Sequence, residues 1–178
     1  MPLILILAAC PRTEPVSPTL VAEHSTNATS QATGALRSGA WVDDRLPWSV
    51  RVPSGWEAIP GVEGRPPRVT LVHAETRARI EVSVRESGEL GPPPRRGCTW
   101  KFQSTAGYRA VAGVNPLTAA TCTPEDAADA RVLGYFVTAA DLAWDLEVVI
   151  PPGGLLEAKR QSDLVLATFR IRPGPRPE

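Results

Sequence analysis

Leu142-Ala-Trp-Asp-Leu-Glu-Val-Val-Ile150 decides the fold class. Its residues alternate. Leu142, Trp144, Leu146, Val148 and Ile150 point one way; Asp141, Ala143, Asp145 and Glu147 point the other. A period of two over this length is the signature of a strand with one buried face. Just upstream, Arg131 to Ala139 is apolar on both faces, as a central strand would be, and the short link between the two predicts a hairpin. Pro151-Pro-Gly-Gly154 ends the second strand. Leu155 to Thr168 then reads as a helix with an imperfect apolar stripe, and Phe169-Arg-Ile171 packs at its end.

Working back toward the N-terminus, Leu46, Trp48, Val50 and Val52 share one face of another alternating stretch, which Pro53-Ser-Gly55 turns. Arg68–His73 and Ala78–Arg85 form a second hairpin, with Ile80, Val82 and Val84 inward and Arg79, Glu81, Ser83 and Arg85 outward. Ser87 to Gly97 is a proline-rich loop. Cys98, Trp100 and Phe102 share a face of the next strand, and Tyr108–Val114 and Leu117–Cys122 are weaker strands. Thr123-Pro-Glu-Asp126 carries helix-start chemistry for one or two turns at most. The expected class is α+β: a central antiparallel β-sheet with a C-terminal helix packed on it.

The chain opens on an apolar run that stops at Leu7-Ala-Ala-Cys10. That tetrapeptide resembles the lipobox of bacterial lipoproteins, an aliphatic residue and two small ones ahead of the cysteine that is acylated. The resemblance implies lipidation of Cys10 and a signal peptide, shortened here, over residues 1–9. No Lys or Arg precedes the apolar run, and a start codon placed too far downstream explains both departures. The run is too short for a transmembrane helix. Pro11, not Asp, follows the cysteine, which by analogy with enterobacterial sorting points to the outer membrane.

Residues 10–40 are the acylated cysteine and a tether rich in Ser, Thr, Ala and Pro, too polar to offset the entropy of ordering. Asn27-Ala-Thr29 matches a glycosylation sequon, which in a bacterium is coincidence. Residues 41–172 are one globular domain, and 173–178 a tail.

Lys plus Arg and Asp plus Glu both number 19, so net charge is zero and there is no basic excess for nucleic acid. There are three cysteines. With Cys10 acylated, Cys98 and Cys122 remain as a pair in an oxidising compartment, and a disulfide is expected. The competing arrangement is two buried thiols.

Two stretches resemble PsbP-like domains and lipoproteins that share their fold. Leu46-Pro-Trp-Ser-Val-Arg-Val-Pro-Ser-Gly-Trp56 is similar to their opening strand and Pro-x-Gly-Trp turn. Ser162-Asp-Leu-Val-Leu-Ala-Thr-Phe-Arg170 is similar to their closing helix. The resemblance covers about Leu46 to Ile171. It implies an α/β sandwich around an antiparallel sheet and a role in binding partner proteins, and it carries over no catalytic residues.

Searching for chemistry gives little. His73 is the one histidine of the domain, and there is no Cys-x-x-Cys, nucleophile elbow or phosphate loop. No cofactor or metal is expected. Asp43-Asp44 and Glu125-Asp126 read as solvated turn acids, and outward pairs such as Asp145 and Glu147 need no function. Trp48, Trp100 and Trp144 belong to the core. Trp41 is the candidate for exposure; beside Arg95 and Arg96 it would form a surface contact. The reading is a membrane-anchored envelope lipoprotein, a non-catalytic interaction or assembly module held through Cys10 and working with an envelope protein. The alternatives are a cell-envelope hydrolase using loop carboxylates, and a glycan-binding module using exposed Trp.

Overall fold

The computed structural model describes residues 32–86, 92, 95, 97–103, 117–125, 127, 129–139 and 141–172. Its elements run β1 (Gly34–Arg37), β2 (Ala40–Asp43), β3 (Trp48–Arg51), β4 (Trp56–Pro60), β5 (Val69–His73), β6 (Arg79–Glu86), β7 (Lys101–Gln103), β8 (Leu117–Cys122), β9 (Arg131–Ala139), β10 (Leu142–Ile150), α1 (Leu155–Leu166) and β11 (Arg170–Ile171). Neighbouring strands pair antiparallel. One sheet has the order β4-β5-β6-β10-β9-β8-β7, the other β1-β2-β3-β11. The α+β class, antiparallel sheet and C-terminal helix, is as expected; the separate four-stranded sheet is an addition to it.

β10 lies at the middle of the larger sheet because its apolar residues have partners on both sides. Leu146 faces Val82 of β6 and Tyr135 of β9, and Val148 faces Ile80. This face meets Trp41, Trp48 and Val50 of the smaller sheet, and Ala158, Val165 and Leu166 of α1. Trp48, Trp144 and Phe169 form the aromatic centre, with ring centroids 5.2 to 6.1 Å apart. Such pairs each contribute about 0.5–1.5 kcal/mol beyond burial. The Trp144 indole also donates to the Ala139 carbonyl at 3.0 Å. The chain end is tied in where Ile171 pairs with Trp48 and the Arg172 N–H donates to the Pro47 carbonyl.

Several expectations are corrected. The sheet begins at Gly34, inside the stretch read as tether, because β1 pairs with β2 from Gly34↔Asp43 to Arg37↔Ala40. Trp41 is not a surface residue: it is 1% exposed, paired with Val50 and turned into the core. β1, which precedes it in the chain, helps bury it: Gly34 lies against the Trp41 ring. Asp43 is no solvated turn acid either; its side chain is fully buried.

Trp56 opens a strand of its own, β4, after Gly55 at φ 86 turns the chain. His73 is buried. Its Nδ1 accepts the Thr76 N–H at 3.1 Å, and its ring lies on Trp56 at 5.1 Å. In α1 the buried side is Ala158, Ser162, Val165 and Leu166, while Leu156 and Leu164 face outward. Cys10, expected to be lipidated, Arg96, the strand expected over Tyr108–Val114, Asp126 and the tail 173–178 lie outside the described residues.

Candidate functional site

The second face of the larger sheet was expected to be solvated, since it carries the polar half of every alternation. It is instead largely buried. Asp145 is 2% exposed and Glu147 9%. Strand register explains the grouping. Ser83, Asp145 and Phe136 lie in one row, Glu81, Glu147 and Gly134 in the next. Buried carboxylates are tolerated only with partners. Arg85 of β6 grips Asp145 with two bonds, Nε to Oδ2 at 2.6 Å and Nη2 to Oδ1 at 2.9 Å. Arg95 donates to Glu147. Burial pushes the Glu147 carboxyl up, Arg95 pulls it down, and Glu81 and Asp145 push it up again; the balance lies above the ordinary glutamate value.

The segment carrying Arg95 lies over this face. Arg95 bridges to Cys98, and the Glu125 N–H donates to the Gly97 carbonyl at 2.9 Å. Cys98 is joined to Cys122 at the end of β8, with Cα atoms 5.7 Å apart. Trp100 stands edge-on to Phe136 at 5.5 Å. Gly134 leaves the space: a Cβ there would meet the Phe136 ring at 2.4 Å and Trp100 at 3.0 Å. Trp100 therefore covers the second face and takes no part in the aromatic centre around Trp144. Phe102, two residues on, is 66% exposed.

At the other end of the same face a cleft of about 470 Å3 opens between the β4–β5 connection and β6. Its walls include Glu63, Arg65, Pro66, Arg68, Ser83 and Asp145, with Arg85 beside them. Arg68 stands immediately before β5 and reaches back to the smaller sheet. Its Nε and Nη2 donate to Asp43 at 2.5 and 2.9 Å, and Nη2 also donates to Glu63 at 3.3 Å. Burial pushes the Asp43 carboxyl up, but Arg68 and the N–H groups of Leu46 and Arg45 outweigh it and hold it below the ordinary value. The same hydrogen bond raises the Arg68 guanidinium. Thr33 completes the junction by donating to the Arg68 carbonyl.

The predicted residues thus separate. Cys98 and Cys122 come together, and Arg95 is beside them on Glu147. Trp41 is in the core and forms no surface with Arg95. Sequence reasoning missed Arg68, Arg85 and Glu63 and took Asp43 for a turn acid; the spacing Asp43–Arg68 carries no local signal. Among the described residues no group of three or more His, Cys, Asp or Glu is placed to hold a metal ion. Among them, too, no helix is long and apolar enough to cross a membrane.

No protein-family model matches the chain, and no curated protein does. Among solved structures it is similar to cyanobacterial PsbP (CyanoP) from Synechocystis sp. PCC 6803, at 12% identity and a TM-score of 0.49, over 83% of this chain and 98% of that one. It is also similar to a protein from Bacteroides thetaiotaomicron VPI-5482, at 14% identity and a TM-score of 0.42, over 71% of this chain and 45% of that one.

Proposed function

We propose that the chain is an envelope lipoprotein, anchored through Cys10 at the outer membrane and acting as a non-catalytic interaction or assembly module. One observation carries the reading. Of three cysteines, Cys98 and Cys122 are bridged, which belongs to an oxidising compartment and leaves Cys10 as the odd sulfur. That sulfur ends the apolar run Leu7-Ala-Ala-Cys10. Two or more acyl chains on it would give stable anchoring. Intact-mass analysis of the membrane-extracted protein tests the anchor. The expected species begins at Cys10 with fatty acyl mass and needs detergent for release; a chain that washes off without detergent and carries no such mass refutes it.

The binding role is supported by how the cleft is built. Both oxygens of Asp145 are taken by Arg85, and Glu63 is held by Arg68 and, at 3.3 Å, by Arg45. Carboxylates so tied are held in fixed positions, as recognition of a partner requires. Cross-linking in intact envelopes followed by affinity capture is expected to recover a discrete envelope protein. A second reading, an envelope hydrolase, is favoured by one fact: Glu63 and Asp145 line the same cleft. Glycan or lipid hydrolysis lost in both Glu63→Gln and Asp145→Asn, with no partner recovered, would install it in place of the first.

A further inference from the structure

We infer that the outward side of α1 is a lipid-contacting face that rests on the phospholipid surface; this builds on the Cys10 anchor reading. Helix α1 buries Ala158, Ser162, Val165 and Leu166. Its opposite side carries Leu156 at 84% exposure and Leu164 at 56%, with Leu155 beside them. Leu156, Arg160 and Leu164 recur every four residues, so they form one stripe.

Three exposed leucines on a twelve-residue helix need a partner more than scattered surface apolar residues do. The charges around them select which one. Lys159 pairs with Asp163 at 2.5 Å and Arg160 with Glu157 at 3.5 Å, so the face is neutral and offers nothing to a strongly charged protein. Lys159 and Arg160 can lay their stems along apolar surface with the charge still hydrated. That suits the headgroup boundary of a bilayer.

The chain outside the described fold supplies the proximity. It runs from Cys10 to residue 31 and enters the domain at Ala32. The twenty-one residues 11–31 reach at most about 70 Å from Cys10. A domain of this size has a radius of gyration of about 14 Å. An anchored head can therefore turn any side to the lipid, and the side that stays there is the one with apolar groups to bury. Tethering raises the effective concentration to the point where a few leucines suffice.

The test uses the unacylated mature chain, residues 10–178, with its Cys10 thiol coupled to one tetradecyl maleimide. A single chain of that length gives only marginal, reversible binding, so any added contact shows directly. Partition onto phosphatidylcholine vesicles is measured for the wild type, Leu156→Gln/Leu164→Gln, and Leu36→Gln on β1 as an exposed leucine off the helix. Glutamine keeps helix propensity and the sites are outside the core, so the fold is retained, which circular dichroism checks. The double variant is expected to bind about tenfold less or weaker still, and Leu36→Gln within about twofold of wild type. Unchanged partition of the double variant overturns the inference, and so does an equal loss in Leu36→Gln. A dimer that the double variant dissociates in sedimentation, with partition unchanged, assigns the face to a second copy instead. Because the anchor here is synthetic, a missing native acyl group sinks the anchor reading without altering this measurement.

Discussion

Asp43→Asn tests the junction between the two sheets. The Asp43 side chain is fully buried and that of Arg68 13% exposed. Four donors converge on the carboxylate: the N–H groups of Arg45 and Leu46 at 2.9 and 2.8 Å, and two from Arg68. Asparagine keeps the shape but has one acceptor oxygen. If that oxygen keeps the two backbone N–H groups and Arg68 Nη2, which share Oδ1, the amide nitrogen faces Arg68 Nε, donor against donor. Breaking a buried ion pair costs about 3–5 kcal/mol. Glu63 remains 3.3 Å from Arg68 and compensates part of the charge, so about 2–4 kcal/mol is expected here. For a domain this size that lowers Tm by roughly 6–12 °C.

The loss depends on pH with a definite sign. The folded pKa of Asp43 lies below its ordinary value of 3.8. Its contribution is therefore complete above that value and is lost as pH falls through the folded one. Asparagine does not titrate, so the gap between wild type and variant is full at pH 7 and narrows in acid. Urea unfolding followed by tryptophan fluorescence, at several pH values from 7 downward, measures this. Equal midpoints at pH 7, or a gap that widens in acid, would refute the junction.

Further outcomes follow from the same geometry. Gly61→Ala puts a Cβ 2.0 Å from the Pro67 carbonyl oxygen, which is backbone and cannot yield, whereas Gly134→Ala meets the Phe136 ring tip; denaturant titration is expected to show about 3 kcal/mol lost in the first and about 1–2 in the second. Trp144→Phe is expected to cost about 1 kcal/mol more than Trp48→Phe by the same assay, because the Trp144 indole N–H bonds Ala139 and that of Trp48 is buried without a partner among the described residues. Replacing Cys98 and Cys122 by serine opens a loop with a sequence separation of 24 and is expected to cost about 3 kcal/mol, read as a drop in urea midpoint that matches the effect of reductant on the wild type. Glu147 sits above its ordinary value, so ionising it weakens the folded state as pH rises from about 4.5 through the folded value. Arg95→Met removes the charge that opposes this, so stability across pH 4–8 is expected to fall more steeply than in the wild type, and parallel curves would refute it.

The core was legible because alternation is a local property. Trp144, Leu146, Val148 and Ile150, with Ile80 and Val82, were assigned from single strands and lie in one core. The disulfide followed from counting: with Cys10 read as acylated, Cys98 and Cys122 remained as a pair, and the structure bridges them rather than leaving two thiols. The cleft was not legible. It depends on Arg68 meeting Asp43 across 25 positions and Arg85 meeting Asp145 across 60, and nothing local records either distance. Trp41 went astray for a related reason: β1, whose Gly34–Arg37 carries one apolar residue of any size, reads as tether until β2 is seen beside it.

The second face shows why period-two reading stops where it does. Alternation says that Asp145 and Glu147 do not share a face with Trp144; it does not say that their own face is wet. Two features bury it. The segment from Arg95 to Trp100 crosses it, pinned by the Cys98–Cys122 bridge and by Trp100 on Phe136. The arginines then arrive one per acid, Arg85 from the neighbouring strand and Arg95 from the crossing segment. A residue of Asp145's type costs free energy once buried, and only a partner delivered by the fold offsets it. The polar half of these strands therefore fixes where the crossing segment lies: Glu147 accepts Arg95 because the disulfide brings that arginine over β10. Charge pairing and the covalent bridge act on one segment, and the conformation of this face depends on both.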